Sequence, residues 1–118
     1  MPTILVVDDE PGLRLLYTAE LEDEGYQVVS AGNCADAAEV LASQPIDLVV
    51  LDIQIKQESG LDMLQTIVKE RSGLPVVLCS AYNCYKDDFS SWLADAYIVK
   101  SSDLSELKTE VKRLLNRK

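Results

Sequence analysis

Short apolar runs alternate along this chain with segments in which apolar residues recur every three or four positions. Four of the runs are almost unbroken Val, Ile and Leu and cover residues 4–7, 48–51, 76–79 and 97–99, and a fifth, less apolar run covers Gln27–Ala31. Such runs are typical of strands that are buried on both faces, because helices cover both sides of a parallel sheet. The alternation therefore predicts an α/β fold, with right-handed crossovers giving a doubly wound parallel sheet of five strands.

The segments between the runs have the period of helices with one buried face. Their apolar stripes are Leu13, Leu16, Tyr17 and Leu21; Leu61, Leu64, Ile67 and Val68; Tyr85, Phe89, Trp92 and Leu93; and Leu104, Leu107, Val111 and Leu114. Between Asn33 and Ser43 the stripe consists mostly of small residues, namely Ala35, Ala38, Leu41 and Ala42. That stripe predicts a helix packed closely on the sheet, with Asn33 as its N-cap. Pro11 and Gly25 are expected at the start and the end of the first helix.

Length and composition narrow the class of protein. The chain has 118 residues without a linker or an internal repeat, so we predict one domain over residues 1–118. The net charge of -9 and the lack of a basic stripe argue against direct binding of nucleic acid, because phosphate backbones are bound through Lys and Arg.

The three cysteines lack metal-binding spacing and the chain has no histidine, so disulfides, zinc and Cys–His catalysis are not expected. No apolar stretch is long enough to cross a membrane and no signal peptide is evident, which favours a cytoplasmic protein.

Each of the four most apolar runs is followed directly by a polar side chain. The residues concerned are Asp8 and Asp9, Asp52, Ser80 and Lys100. The carboxyl ends of parallel strands lie along one edge of the sheet, where open α/β folds bind ligands. We therefore expect these side chains to form one site.

The chemistry of this set points to phosphoryl transfer. Three clustered carboxylates repel one another unless a cation lies among them, and oxygen ligands without His or thiolate favour Mg²⁺. Lys100 could act as a point charge toward a phosphoryl group, although read alone it is equally a surface charge. Ser80 could offer a hydrogen bond, although read alone it fits a turn residue or a helix cap. Asp52 would be the nucleophile that forms an aspartyl phosphate.

The chain resembles bacterial response-regulator receiver domains over essentially its whole length. The matching features are the acidic pair after Ile4-Leu5-Val6-Val7, Asp52 after Leu48-Val49-Val50-Leu51, Gly60 eight residues later, Ser80-Ala81, and Tyr97 three residues before Lys100. The resemblance implies a flavodoxin-like (βα)5 fold with strand order 2-1-3-4-5.

The resemblance also implies roles in the reaction and in the conformational switch. Asp52 would be the phosphoacceptor, assisted by Lys100 and Ser80. Ser80 and Tyr97 would form the switch pair, which reshapes the face made by the fourth helix, fifth strand and fifth helix.

A metal site is implied by the same resemblance. Mg²⁺ would be bound directly by Asp9, Asp52 and the backbone carbonyl of Gln54. Asp8 would act mostly through water.

Two positions depart from the family pattern. Ser101 follows Lys100 where most receivers have a proline, often with a cis peptide bond, and a cis bond without proline costs about 3 kcal/mol. The peptide geometry of that loop is therefore left open. Lys56 stands where many receivers have another proline, so we expect the loop from Ile53 to Ser59 to be more mobile.

Three functions compete for this sequence. The first is a phosphoacceptor in a two-component system or phosphorelay, a signalling domain and not an enzyme, which resembles the single-domain regulators of chemotaxis and sporulation. It would take its phosphoryl group from phosphohistidine on a sensor histidine kinase or a histidine phosphotransfer protein and signal to a downstream protein. The second is an interaction module of the same fold that is never phosphorylated, against which the intact acidic residues argue. The third is a phosphatase of the haloacid dehalogenase type, disfavoured because Gln54 stands where those enzymes have a second Asp.

Overall fold

The computed structural model describes residues 1–55, 58–71, 73–80, 94–99 and 104–116. The strands are β1 (Thr3–Val7), β2 (Gln27–Ala31), β3 (Leu48–Asp52), β4 (Gln54–Ile55), β5 (Glu58–Ser59), β6 (Val76–Ser80) and β7 (Ala96–Val99). The helices are α1 (Pro11–Asp23), α2 (Cys34–Ser43), α3 (Gly60–Glu70) and α4 (Ser105–Asn116). Among these helices, none has the length and apolar character that crossing a bilayer requires.

The main sheet has five parallel strands in the order β2-β1-β3-β6-β7. Without the small hairpin β4-β5, this order is the 2-1-3-4-5 of the flavodoxin-like fold, so the predicted fold class is confirmed. The helix predicted from the stripe at Tyr85, Phe89, Trp92 and Leu93 lies outside the described residues.

Alternate residues of the central strands pack on opposite faces of the sheet. On one face, Leu5 and Val49 belong to a cluster that α2 and α3 cover. On the other face, Val6 and Val50 belong to a cluster that α1 and α4 cover. By the same alternation Asp52, two residues after Val50, falls on the side of α1 and α4.

The predicted helix ends are confirmed. Pro11 is the first residue of α1, and Gly25 follows the helix with a φ of 96°, a left-handed conformation that favours glycine. Asn33 is the N-cap of α2, and its side-chain oxygen accepts a hydrogen bond from the backbone N–H of Asp36 at 2.8 Å.

The predicted apolar stripes were wrong at several positions. Three small residues expected to face the sheet are exposed, namely Ala35, Ala38 and Ala42. The helix α2 instead buries Ala37 and Leu41. Alanine is a weak indicator here because its small side chain stands on both sides of α2, whereas the larger Leu41 marks the buried side. In α1, Leu16 is 40% exposed, although its spacing predicts a place in the buried stripe.

The segment between β3 and α3 forms a hairpin. Gln54 pairs with Ser59 and Ile55 pairs with Glu58 in an antiparallel arrangement. Lys56 lies outside the described residues, and the expected mobility of this segment stays a prediction.

Candidate functional site

The register of the sheet brings the predicted carboxylates together. Val7 of β1 pairs with Leu51 of β3. The residues that follow them, Asp8 and Asp52, therefore lie side by side at the carboxyl edge of the sheet. One carboxylate oxygen from each of Asp8, Asp9 and Asp52 lies within 4.8 Å of the other two. The structure thus assembles the acidic cluster that the strand ends predicted.

Two of these acidic residues are buried. Asp8 is 1% exposed and Asp52 is 6% exposed, while Asp9 is half-buried. Carboxylates held this close in a buried site are unfavourable unless positive charge or hydrogen-bond donors surround them. A set of oxygen donors with this charge and spacing fits a hard divalent cation.

Asp8 is fixed by several hydrogen bonds. Its backbone N–H donates to the carbonyl of Ala31 in β2 at 3.1 Å. Its side-chain Oδ1 accepts from the backbone N–H of Glu10 at 3.0 Å, which closes the turn into α1. Its backbone carbonyl accepts from Nη1 of Arg14 at 2.7 Å.

Arg14 is a residue whose contact with the site the sequence patterns did not predict. One signal was available, because Arg14 is the only Lys or Arg among residues 1–55. A single cation in so acidic a segment is a candidate partner for the acidic site.

Asp52 is held through the backbone that follows it. The N–H of Ile53 donates to the carbonyl of Cys79 at 3.0 Å, which extends the ladder between β3 and β6 past Asp52. The N–H of Gly60 donates to the carbonyl of Ile53 at 2.6 Å. Gly60 leaves no room for a side chain, because a Cβ there would overlap the Asp52 carbonyl oxygen and lie 2.8 Å from Cα of Ile53.

The other predicted site residues follow from the same register. Asp52 pairs with Cys79, so the next residue, Ser80, ends β6 beside the acidic cluster. Tyr97 lies in β7 and is half-buried. It packs against the hydrophobic cluster that α2 and α3 cover. The side chain of Ser80 and the whole of Lys100 lie outside the described part of the structure.

Solved structures resemble this chain closely. The response regulator protein TrrA from Thermotoga maritima, in complex with Mg²⁺-BeF, matches with a TM-score of 0.93 and 45% identity, covering 97% of this chain and 99% of that one. TrrA in complex with the histidine kinase ThkA matches with a TM-score of 0.91 and 45% identity, covering 98% of this chain and 99% of that one.

Curated relatives extend the match to longer proteins. The probable transcriptional regulatory protein TcrX of Mycobacterium tuberculosis is 36% identical over 98% of this chain, and the transcriptional regulatory protein AruR of Pseudomonas aeruginosa is 36% identical over 99%. The chain spans about half the length of both relatives. The family model described as "Response regulator receiver domain" matches residues 4–112. The chain therefore belongs to the response regulator receiver domain family, the signalling domains of two-component systems.

Proposed function

We propose that this domain accepts a phosphoryl group on Asp52 in a Mg²⁺-dependent reaction and thereby switches a surface that binds a protein. The observation that carries the proposal is the cluster of Asp8, Asp9 and Asp52, whose nearest oxygens lie within 4.8 Å of one another. The cluster lies at the carboxyl edge of the sheet, where folds of this type bind ligands.

The donor set supports the choice of metal. Asp9, Asp52 and the backbone carbonyl of Gln54 would hold Mg²⁺, and Asp8 would act mostly through water. When bound, the ion supplies positive charge to the phosphoryl group that is transferred.

The hairpin register supports Gln54 as a ligand. The hydrogen bond from Gly60 N–H to the Ile53 carbonyl flanks the pair formed by Gln54 and Ser59. In an antiparallel ladder, a pair flanked in this way exchanges no backbone hydrogen bonds of its own. The Gln54 carbonyl therefore takes no part in the hairpin ladder and can serve another purpose.

The reaction follows from the position of Asp52. Its carboxylate oxygen forms a bond to phosphorus while the bond from phosphorus to the imidazole nitrogen of the donor breaks. A carboxylate nucleophile needs no general base. Lys100 would neutralise charge on the transferred group and Ser80 would hydrogen-bond to one of its oxygens. Ser80 and Tyr97 would then form the switch pair.

The phosphodonor would be a sensor histidine kinase or a histidine phosphotransfer protein. The similar protein TrrA forms a complex with the histidine kinase ThkA, which supports a kinase as partner. The helix α1 begins two residues after Asp9 and exposes 71% of Leu15 and 40% of Leu16. Exposed apolar side chains on a helix that begins at the acidic edge would offer a contact surface for such a donor.

The signal would pass to a downstream protein. TcrX and AruR are named as transcriptional regulatory proteins and are about twice as long as this chain. An output through DNA in a longer protein is therefore the second route for the signal.

Incubation with acetyl phosphate and Mg²⁺, followed by intact mass measurement, tests the proposal. The wild type should gain the mass of one phosphoryl group, and Asp52→Asn should not, because its amide is a poor nucleophile. Asp62→Asn is the matched control, since Asp62 is an exposed residue of α3 and should leave the gain unchanged. A folded wild type that gains no mass with Mg²⁺ present would favour the phosphorylation-independent interaction module.

A further inference from the structure

Arg14 is the one basic residue of the first 55, and its guanidinium reaches the acidic edge of the sheet. We propose that Arg14 is a positioning residue for the metal site, and that Gly32 provides the space through which its side chain reaches Asp8. The inference rests on the proposed function, because it assigns Arg14 a role toward Mg²⁺ binding by Asp8 and its neighbours.

The Asp8 carbonyl lies just past the last residue of β2, where the regular hydrogen bonds between β1 and β2 end. Asp8 N–H donates to the Ala31 carbonyl, and in a continued parallel ladder the N–H of Asn33 would donate to the Asp8 carbonyl next. However, β2 ends at Ala31, and Asn33 serves as the N-cap of α2. Nη1 of Arg14, at 2.7 Å from the Asp8 oxygen, provides the donor at this point.

Gly32 is required by the arginine and not by its own backbone. Its φ is not positive, so its conformation is open to other residues. A Cβ at this position would lie 2.8 Å from Nη1 and 3.4 Å from Cζ of Arg14. Since the clash would be with the far end of a flexible side chain, Gly32→Ala should displace the guanidinium at little cost to the fold.

The effect on the site follows from how the turn is held. Asp8 is tied through its N–H, its side chain and its carbonyl, and Arg14 supplies the last of these ties. Without it, mutual repulsion of the carboxylates would let the turn spread. Hydrogen-bonding partners of direct metal ligands commonly change metal affinity by about 10–100-fold. Asp8 would act mostly through water, so we expect the lower end of that range for Arg14. The positive charge of Arg14 acts in the opposite direction, because it repels Mg²⁺, so the two roles predict opposite results when Arg14 is removed.

The test measures Mg²⁺ dissociation constants by isothermal titration calorimetry on the wild type, Arg14→Ala, Gly32→Ala and the double variant. Each single variant should bind Mg²⁺ about tenfold more weakly. The double variant should be no weaker than Arg14→Ala, because both changes remove the same contact. Arg71→Ala is the matched control: Nη2 of Arg71 donates to the Leu41 carbonyl near the C-terminal end of α2, so its loss should leave Mg²⁺ affinity unchanged.

Several results would overturn the inference. Gly32→Ala that binds Mg²⁺ like the wild type would show that displacing the guanidinium does not matter. Tighter binding by Arg14→Ala would mean that its charge, and not its hydrogen bond, decides affinity. If Arg14→Ala does not fold, as checked by urea unfolding, Gly32→Ala still decides the question. A wild type that binds no Mg²⁺ would refute the metal site of the proposed function, and the inference with it, whereas tight wild-type binding with unchanged variants would refute the role of Arg14 alone.

Discussion

Gly60→Ala should destabilise the protein because the added methyl group meets only backbone. Its Cβ would overlap the carbonyl oxygen of Asp52, lie 2.8 Å from Cα of Ile53 and lie 2.9 Å from the carbonyl carbon of Asp52. None of these atoms can rotate away as the end of a side chain can. The start of α3 would have to move off β3, which would also break the 2.6 Å hydrogen bond from Gly60 N–H to Ile53.

The size of the effect follows from these contacts. Overpacking against fixed atoms costs about 1–3 kcal/mol, and we place this case at the upper end because every close atom is backbone. Loss of the hydrogen bond adds about 1 kcal/mol. The better helix propensity of alanine returns at most about 1 kcal/mol. We therefore expect the free energy of unfolding to fall by about 3 kcal/mol, out of a total of about 5–15 kcal/mol for a typical domain.

Urea unfolding followed by far-UV circular dichroism measures this loss. Gly73→Ala is the matched control, because nothing lies within 4 Å of a Cβ at that position and its φ is not positive. That control should leave stability unchanged or raise it by about 0.4–1 kcal/mol. A loss below about 1 kcal/mol for Gly60→Ala, with an unchanged m-value, would show that the backbone around Asp52 yields easily and that our reasoning is wrong.

Two further predictions concern a helix end and pH. Asn33→Ala should lower the free energy of unfolding by about 1 kcal/mol because it removes the cap on Asp36 N–H. Asn33→Ser should keep most of that stability, because its hydroxyl can accept from the same N–H without placing a second carboxylate beside Asp36. Equal urea midpoints for the alanine variant and the wild type would contradict this. The hydrogen bond with Glu20, 2.7 Å long, raises the pKa of Lys108 above its usual 10.5. The stability from this contact is therefore fully present below pH 10.5 and is lost as pH rises through the folded-state pKa. The Lys108→Arg variant keeps its positive charge at higher pH. Its urea midpoint should therefore fall less than that of the wild type between about pH 9 and about pH 11. An equal fall in both proteins would count against a role for this contact.

The sequence was sufficient for the sheet because its strands are continuous apolar runs. Once Val7 and Leu51 are neighbours in a parallel sheet, Asp8 and Asp52 must meet at its edge. The orientation of α2 was harder to predict, because alanines on both sides of that helix give little contrast in apolar area.

Close contacts with backbone atoms that are distant in sequence could not be predicted from the apolar pattern. The bond from Arg14 to the Asp8 carbonyl depends on where β2 stops pairing. The crowding at Gly60 depends on how closely the start of α3 approaches β3. Both contacts are consequences of the assembled fold, and neither leaves a recurring pattern in the sequence that would predict it.

Substitutions at the two glycines next to the acidic edge, Gly32 and Gly60, should affect stability and site geometry differently. Gly25, which lies away from that edge between α1 and the start of β2, has a positive φ, so its replacement strains the backbone itself. Gly32 and Gly60 lack that constraint, and what each provides is space. At Gly60 the space adjoins backbone, so a methyl group must displace α3 and costs stability. At Gly32 it adjoins the end of Arg14, so a methyl group displaces one guanidinium and leaves the fold intact. Because the two substitutions add the same methyl group, a fall in Mg²⁺ affinity without a fall in stability at Gly32 would be due to the position of Arg14 and not to general loosening of the domain.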